Sequence, residues 1–493
     1  MNKKINARTI SLVLIFILIL ITIALLIGKF TYSYLAPTID DDVEGAGEVT
    51  ASGDTIIFTK GNTLSLSANT DNFATGGSNL SDTTNPKVKL MASSKTNSAS
   101  SKYFAGVIIK NNTYTYTTTD KKPEVILTVK DENGNIVESS ADNLKFVTVN
   151  NNLKGFDITG VNGAFNIVTD HIIATASNKS EVIHTWTFTL TFVNLGTDQS
   201  ENENSTLNID VVLQKDKIPT TIADVCSNND KLSDCVINSY EKLGLLYHHD
   251  STLANGAEDD SYRYAGASDE VNNYICLGSN EATCSDDNLY RIIGVFGENN
   301  HGIKDQQLVK VIKNTSIGDT AWNSVQKNDW ASASLKTTLN STFKTEKLSG
   351  FEDKIAEVIW RVSGYSTSAA TAKTVYTGEI TNATTTVTAK IGLMYPSDYG
   401  FATTQDYWTT NLSSYDSSAK NKDWLYLGST EWLLSPCTNF SFYAWYVRSI
   451  GSVGIGGGIF VADTNAVRPT FFLTSSVQYI SGSGTSSDPI RAN

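Results

Sequence analysis

The sequence predicts a multi-domain protein in which an N-terminal transmembrane helix is followed by an all-β sandwich and then by an α+β domain. Three observations predict this order. An uncharged apolar run fills residues 9–28, short alternating strands separated by polar turns continue to residue 215, and helical periodicity mixed with strands follows. A chain of 493 residues has the length of about three domains.

Residues 1–8 and 9–28 have the charge pattern of a signal anchor. The first segment contains Lys3, Lys4 and Arg8, and the second contains no charged side chain. About twenty apolar residues with a rise of about 1.5 Å each can cross a bilayer. Because the cations precede the span, the positive-inside rule predicts a single-pass cell-membrane protein with its N-terminus in the cytoplasm and its C-terminal body extracellular. A cleaved signal peptide is the alternative, but the apolar run is long for one and no clear A-x-A site follows.

The rest of the chain is acidic and rich in Thr and Asn. The whole sequence has 38 Lys and Arg against 51 Asp and Glu, which gives a formal net charge of −13. A negatively charged body repels a phosphate backbone, and this argues against nucleic acid as a partner. The same composition is typical of a solvated surface protein.

Residues 29–54 are predicted to be a polar spacer, and residues 55–215 a β-sandwich stalk. The clearest strand is His184–Val193, where large apolar side chains alternate with threonines so that one face is buried. His184 lies on the apolar face and is interpreted as a hydrogen-bonded core histidine. The pair Asn133-Gly134 indicates a hairpin turn. The alternating apolar residues are Trp186, Phe188, Leu190 and Phe192.

A short linker, residues 216–222, precedes the predicted α+β domain, residues 223–493. Helical and strand patterns occur together in this stretch, which indicates the α+β class. The predicted elements are helices at Ser233–Leu245, from Trp330 to Phe343 and at Phe351–Val362, with strands at Tyr290–Phe296 and Leu308–Ile312.

The cysteines indicate disulfides. Cys226 and Cys235 are close in sequence, as are Cys276 and Cys284, so that disulfides can close both local loops in an oxidising compartment. A metal site is not predicted, because zinc sites have tighter C-x-x-C spacing and companion histidines, and no cofactor is expected. Cys437 is left over and is interpreted as a buried thiol that packs as a small apolar side chain.

Residues 432–473 carry the most information about function. Large apolar residues bracket a middle of Asn, Ser, Phe, Tyr and Gly, which is typical of a rigid frame that displays a binding surface. On a strand, Trp445 and Val447 are predicted to point into the core, whereas Tyr446 and Arg448 point outward. The alternative is a set of ordinary packed aromatic residues beneath a glycine-rich loop. The predicted ligand-binding residues are Asn439, Phe440, Ser441, Phe442, Tyr443, Tyr446, Arg448, Ser449, Phe460 and Asp463.

Several segments of residues 223–493 occur in a recognisable order. They are Asn288–Phe296, Trp330 with Leu335–Phe343, Ala389–Phe401, Glu431–Pro436, Ala466–Pro469 and Gly482–Pro489. In this order they resemble the C-type-lectin-like and formylglycine-generating-enzyme-like superfamily, most closely the domains of uncharacterised surface proteins from gut Firmicutes. The resemblance implies a C-type-lectin-like fold for the α+β domain. Arg468 in the fifth segment is interpreted as a structural ion-pair partner.

The last block has a further resemblance. The sequence Ala444-Trp445-Tyr446-Val447, a polar and aromatic stretch and then Val467-Arg468-Pro469 are similar to the variable region of diversity-generating retroelement target proteins. That resemblance implies a diversified binding surface over residues 438–465.

The superfamily also contains enzymes. Formylglycine-generating enzymes use a reactive pair of cysteines, whereas only Cys437 lies in the corresponding region here, which argues against that activity. The sequence therefore predicts a non-enzymatic, membrane-anchored bacterial cell-surface protein. Its lectin-like head would serve adhesion or ligand binding to an extracellular protein or glycan, with residues 9–28 in the lipid bilayer. A formylglycine-generating-type enzyme and a structural envelope or pilus-like subunit are the alternatives.

Overall fold

The computed structural model describes residues 46–51, 54–67, 78–93, 98–142, 144–150, 152–176, 180–279, 281 and 283–493. These residues fold mostly into β-strands, which form six sheets connected by short helices and loops. Two large hydrophobic cores divide them, one within residues 56–213 and the other within residues 222–492.

The described structure corrects the predicted fold class in two respects. Within the described ranges no helix has the length and apolar character needed to cross a membrane, so the predicted transmembrane helix and single-pass membrane location are not supported. Residues 9–28, to which that prediction applied, lie outside the described residues, as do residues 1–8 and most of the spacer 29–54. The region predicted as α+β is also mainly sheet, with few and short helices.

The first hydrophobic core is enclosed by three antiparallel sheets, an arrangement compatible with the predicted β-sandwich. Sheet A has the strand order β1-β2-β5-β11, sheet B the order β10-β6-β13-β3 and sheet C the order β4-β12-β7-β9-β8. The strands are β1 (Ala46–Ala51), β2 (Asp54–Thr59), β3 (Leu64–Ser67), β4 (Leu80–Thr84), β5 (Lys87–Met91), β6 (Ser100–Lys110), β7 (Val125–Lys130), β8 (Phe146–Val149), β9 (Leu153–Asp157), β10 (Gly163–Ala174), β11 (Glu181–Thr185), β12 (Thr187–Phe192) and β13 (Thr206–Gln214).

The strand predicted at His184–Val193 is two strands that belong to different sheets. β11 pairs with β5 in sheet A, and β12 pairs with β4 and β7 in sheet C. The break falls at Trp186, whose backbone N–H donates to the carbonyl of Pro86 between β4 and β5. Because proline has no N–H to donate to the ladder, strand pairing is interrupted here. The chain passes between sheets A and C at this level twice, once between β4 and β5 and once between β11 and β12. The predicted buried face is confirmed, since Trp186, Phe188, Leu190 and Phe192 are all fully buried, whereas Thr191 on the face predicted to be solvated is buried as well.

The second hydrophobic core lies among the remaining sheets. Sheet D has the order β22-β27-β18-β17-β16-β29-β28, with β15 also paired to β17 and β14 paired to β15; sheet E has the order β19-β26-β23-β24-β25, and sheet F consists of β20 and β21. The strands are β14 (Leu246–His248), β15 (Tyr262–Tyr264), β16 (Tyr274–Cys276), β17 (Leu289–Phe296), β18 (Leu308–Lys313), β19 (Asp319–Ala321), β20 (Val358–Arg361), β21 (Thr386–Ala389), β22 (Ile391–Gly392), β23 (Glu431–Pro436), β24 (Ala444–Val447), β25 (Val453–Ile455), β26 (Thr464–Ala466), β27 (Thr470–Phe472), β28 (Tyr479–Ser481) and β29 (Ile490–Ala492).

The helices of the described residues are short. The α-helices are α1 (Leu232–Leu243), α2 (Glu298–His301), α3 (Ser334–Thr338), α4 (Lys344–Lys347), α5 (Ala372–Tyr376), α6 (Pro396–Ala402) and α7 (Ser417–Asn421). Two π-helical turns lie at Leu339–Phe343 and Thr377–Thr381. The 3₁₀ turns are Ser200–Asn202, Ile222–Asp224, Asp286–Asn288, Trp330–Ser332, Glu352–Lys354, Gln405–Tyr407 and Leu412–Ser414.

Two of the predicted helices have different outcomes. α1 confirms the prediction at Ser233–Leu245, and it ends at Gly244, whose φ of 78° is a left-handed conformation that glycine adopts without strain. The prediction at Phe351–Val362 is wrong, because β20 occupies its second half. In β20 the burial has a period of two: Val358 and Trp360 are buried while Ile359 is 36% exposed.

Both predicted cysteine pairs form disulfides in the structure. Cys226 is bonded to Cys235, with 5.4 Å between their Cα atoms, and Cys276 to Cys284, with 5.9 Å. Cys437 is a free, buried thiol at the end of β23. Cys235 lies within α1 and Cys276 is the last residue of β16, so each disulfide ties a short loop to one of these two elements.

Candidate functional site

Sheet E provides the frame for the predicted binding block. β24 lies between β23 and β25 and pairs antiparallel with both. All four residues of β24 are buried. Trp445 and Val447 are core residues, as predicted, and the indole N–H of Trp445 donates to the carbonyl of Tyr365 at 3.2 Å.

Tyr446 is not an exposed ligand contact, and that prediction is wrong. Its side chain is 1% exposed, its hydroxyl donates to the carbonyl of Gly456 at 2.7 Å, and its ring meets Trp432 edge-on with 6.2 Å between centroids. The alternation argument assumed that one face of the strand is open to solvent. Here both faces of β24 are covered, so alternate residues point in opposite directions but all remain buried.

The side chain of Arg448 is half-buried and folds back toward the Tyr446 ring on β24. Its guanidinium is 5.5 Å from the centre of the Tyr446 ring, and Nη1 donates to the carbonyl of Val453 at 3.3 Å. A Cβ at Gly454 would approach the guanidinium carbon to 2.8 Å, so glycine is required there for this packing. Arg448 is thus largely committed to the structure, contrary to its prediction as an exposed contact.

Four of the predicted residues form one aromatic patch: Phe440, Phe442, Tyr443 and Phe460. Phe442 and Tyr443 meet edge-on with ring centroids 4.6 Å apart, and Tyr443 stacks on Phe460 at 5.3 Å. Phe440 contacts Phe442 and Tyr443, each at 5.8 Å, and is 52% exposed. The loop between β23 and β24 and the loop before β26 therefore bring together rings that are distant in sequence.

A single asparagine that the sequence did not reveal shapes the patch. The side-chain amide of Asn328 donates to the carbonyls of Cys437, Phe440 and Tyr443 at 2.7–2.9 Å. Its backbone N–H also donates to the carbonyl of Ser441 at 2.6 Å. Asn328 thereby fixes the loop from which three of the four rings project. No sequence pattern connects it to residues more than a hundred positions away.

Replacing Asn328 by Ala is expected to loosen the loop at residues 438–443. The three carbonyls lose the Asn328 donor, although those of Phe440 and Tyr443 keep backbone donors from Tyr443 and Cys437, and the loss costs about 1–3 kcal/mol. Hydrogen–deuterium exchange should show at least about tenfold faster exchange of the loop amides, corresponding to that loss. Asn328→Asp, which keeps the size but lacks the donors, should behave in the same way. Unchanged exchange in both variants would contradict the assigned role.

The remaining predicted polar residues have different positions. Asn439 and Ser441 are exposed beside Phe440. Asp463 is structural, since its carboxylate accepts the backbone N–H of Phe460 at 2.7 Å and holds that loop. Ser449 follows the other end of β24, where its carbonyl accepts the hydroxyl of Tyr426, so it is not part of the patch.

A small cleft adjoins the aromatic patch, with a volume of about 260 Å³. Its lining includes Phe440, Tyr443 and the thiol-bearing residue Cys437, together with hydroxyl side chains and a glycine turn. The turn requires glycine at Gly456, whose φ is 74° and where a Cβ would lie 3.2 Å from the Tyr443 ring. The remaining lining residues are Ser366, Thr367, Ser368, Ile455 and Gly457.

A larger polar cleft of about 570 Å³ lies elsewhere on the domain. None of the predicted ligand-binding residues lines it. Asp423 on its wall is buried, and burial raises its pKa well above the usual range, against a backbone hydrogen bond from Leu425. The other lining residues are Ser268, Asp269, Asn272, Tyr274, Lys420, Asn421, Tyr426, Thr485 and Ser486.

Arg468 forms a buried ion pair, as the sequence predicted. Its Nε and Nη2 donate to the two carboxylate oxygens of Glu431 at 2.7 and 2.8 Å, and Nη2 also donates to the carbonyl of Leu425. Burial raises the pKa of Glu431, and the charge of Arg468 opposes this effect. The pair joins the start of β23 to the segment after β26 and so stabilises the frame of the site.

Further buried charges lie around Asp398. Its carboxylate accepts Lys310 Nζ and lies 3.7 Å from the guanidinium of Arg263. Nearby, burial raises the pKa of Glu379 to about 7, against hydrogen bonds from Ser397 and Ser435. None of these six residues lines either cleft, and we assign them to the support of the second core.

Comparisons of the chain with protein-family models, with curated protein sequences and with solved structures find no match.

Proposed function

We propose that the C-terminal part of this protein is a non-enzymatic binding module that recognises a protein ligand through the aromatic patch and the adjoining cleft. The observation that carries the proposal is the contiguity of the four rings around the exposed Phe440. Aromatic clusters at a rigid surface supply large apolar contact area at low entropic cost and are enriched among the residues that dominate binding energy.

The composition of the cleft supports binding rather than catalysis. A catalytic nucleophile needs a general base within hydrogen-bonding distance, and the residues that line this cleft include no His, Asp, Glu or Lys. Cys437 is the one thiol there, and the other four cysteines are joined in disulfides. A formylglycine-generating-type activity would depend on Cys437 and is therefore tested by Cys437→Ser.

The ring geometry favours a protein over a glycan ligand. A sugar stacks on an open aromatic face, whereas these rings meet each other edge-on or stack on one another. The interplanar angles are 66° for Phe442 with Tyr443 and 74° for Phe440 with Tyr443. A protruding cluster of ring edges bordered by hydroxyl groups is complementary to an apolar pocket with a polar rim on a protein surface. The resemblance of residues 438–465 to a diversified region agrees with such a ligand.

A peptide library displayed on phage tests this proposal with a defined probe. Peptides selected on the native chain should bind the variant Phe440→Ser/Tyr443→Ser at least about 30-fold more weakly, which corresponds to the loss of about 2 kcal/mol at a hot spot. Ile172→Ser is the matched control, because Ile172 is 60% exposed on β10, outside the patch. It should bind the same peptides as the native chain.

Three results would contradict the proposal. Selected peptides that bind the double variant as well as the native chain would place recognition elsewhere. Binding to a glycan array with no peptide selected would replace the protein ligand by a glycan. Oxidation of a cysteine-containing peptide by the native chain and not by Cys437→Ser would favour the enzyme.

A further inference from the structure

The β-sandwich brings together two histidines and a glutamate that are far apart in sequence. His171 lies on β10 of sheet B, His184 on β11 of sheet A, and Glu132 in the turn that follows β7 of sheet C. One ligand atom from each of these three residues lies within 4.8 Å of the others. The cluster therefore sits where the three sheets meet.

The distances within the cluster are close to those around a metal ion. Glu132 Oε2 is 3.0 Å from His171 Nε2 and 3.9 Å from His184 Nδ1. Zinc bonds of about 2.0–2.1 Å in tetrahedral geometry place neighbouring ligand atoms about 3.3 Å apart. Side-chain movements of less than about 1 Å would bring the Glu132 oxygen and both nitrogens to that spacing.

A hydroxyl group lies next to the His184 nitrogen that faces Glu132. The indole N–H of Trp186 donates to the hydroxyl of Tyr103 at 2.7 Å. Tyr103 Oη lies 3.0 Å from His184 Nδ1, and in the tautomer with its proton on Nε2 this nitrogen accepts the hydroxyl proton through its lone pair. A metal ion would take up that same lone pair and displace the hydrogen bond from Tyr103.

The backbone supports this arrangement from two sides. The carboxylate of Asp131 accepts the backbone N–H groups of Asn133 and Asn135 at 2.9 and 2.8 Å, which fixes the turn, and the side-chain amide of Asn133 donates to Glu132 Oε1 at 3.2 Å, which orients Oε2 toward the histidines. A register shift in β10 occurs just before His171. Such bulges redirect a side chain out of the regular alternation.

We propose that Glu132, His171 and His184 form a binding site for a divalent transition-metal ion of the zinc type. Imidazole nitrogen and carboxylate oxygen are ligands that suit this ion, and two histidines with one carboxylate leave a position for water. The side chains of Glu132, His171 and His184 are 19%, 23% and 11% exposed, so an ion and its water have access. A bound ion would link all three sheets of the sandwich.

The site is independent of the proposed binding function. In the sequence the three residues are separated by 38 and 12 intervening positions, and the sequence predicted no metal site. The competing explanation is a hydrogen-bonded cluster in which His171 and Glu132 pair directly and no ion binds. Zinc titration distinguishes the two.

The test uses the full-length chain without an affinity tag, stripped with a chelator and titrated with Zn²⁺ alone. Calorimetry should give one tight site, and the unfolding temperature of the sandwich should rise by about 5–10 °C at a hundredfold excess over Kd. Co²⁺ in place of Zn²⁺ should give visible absorption with nitrogen-ligand character. Because the spectrum uses the native chain, it does not depend on any variant folding.

Variants locate the site. Glu132→Gln and His171→Gln should each lower the affinity for Zn²⁺ by more than about 100-fold, since the loss of an outer-shell partner alone costs about 10–100-fold. His248→Gln is the matched control, because His248 is flanked by Asp250 and Asp260 at 3.5 and 2.7 Å but is not part of the cluster of three close ligand atoms found among the described residues. It should retain the tight site.

Three outcomes would overturn the proposal. They are no tight Zn²⁺ or Co²⁺ binding to the native chain, full affinity in His171→Gln, and loss of the site in His248→Gln.

Discussion

Replacing Arg468 by alanine is expected to destabilise the C-terminal domain by about 3–5 kcal/mol, because it leaves a buried carboxylate without its cation. Arg468 and Glu431 are 3% and 1% exposed, and two charge-assisted hydrogen bonds join them. Burial already raises the pKa of Glu431 while Arg468 is present. The unfolding temperature of the domain should fall by about 10 °C.

An exposed pair provides the control for that experiment. Lys347 and Asp287 lie 3.0 Å apart but are 47% and 69% exposed. Lys347→Ala should change the free energy of unfolding by less than about 1 kcal/mol, since solvent screens such pairs. If Arg468→Ala were as mild as Lys347→Ala, the buried pair would not stabilise the frame of the site.

The sequence predicted those parts of the fold that depend on local pattern. The alternation of Trp186, Phe188, Leu190 and Phe192 was sufficient to predict a buried strand face, and Gly244 ends a helix predicted from its periodicity. The division of one predicted strand between two sheets depends on Pro86, which pairs with it from about a hundred residues away. Local pattern contains no information about such a partner.

The helix wrongly predicted at Phe351–Val362 has a similar explanation. Its apolar residues fit a helical spacing, but β20 is held by pairing with β21, and Trp360 donates its indole N–H to the carbonyl of Ala389 on that strand. Tertiary pairing therefore decided the structure of a short apolar run that is ambiguous by itself.

The sequence was sufficient to predict the aromatic residues of the candidate site but not the residues that hold them in place. The predicted set included Phe440, Phe442, Tyr443 and Phe460, all of which meet in the patch. Asn328 was missed because its role consists of three long-range hydrogen bonds. The Glu132, His171 and His184 cluster was missed for the same reason, since it exists only where three sheets converge.

Tyr446→Ala is expected to destabilise the domain by about 3–5 kcal/mol, the usual effect of removing a large buried aromatic side chain. The ring fills space against Trp432 and beneath Arg448, and the hydroxyl satisfies the carbonyl of Gly456. Urea unfolding followed by tryptophan fluorescence measures the loss. Tyr446→Phe keeps the ring and removes one hydrogen bond, so it should cost only about 1 kcal/mol.

Phe440→Ala is the comparison that separates the frame from the displayed surface. Half of this side chain is already in water, so its removal should change the free energy of unfolding by less than about 1 kcal/mol while it weakens ligand binding. Opposite results, with a stable Tyr446→Ala and an unstable Phe440→Ala, would reverse the assignment of these two residues. Because Tyr446 holds the glycine turn through Gly456, its loss should also disturb the cleft wall. Weak binding by Tyr446→Ala would then follow from a disordered frame, and only Phe440→Ala reports on contact with the ligand.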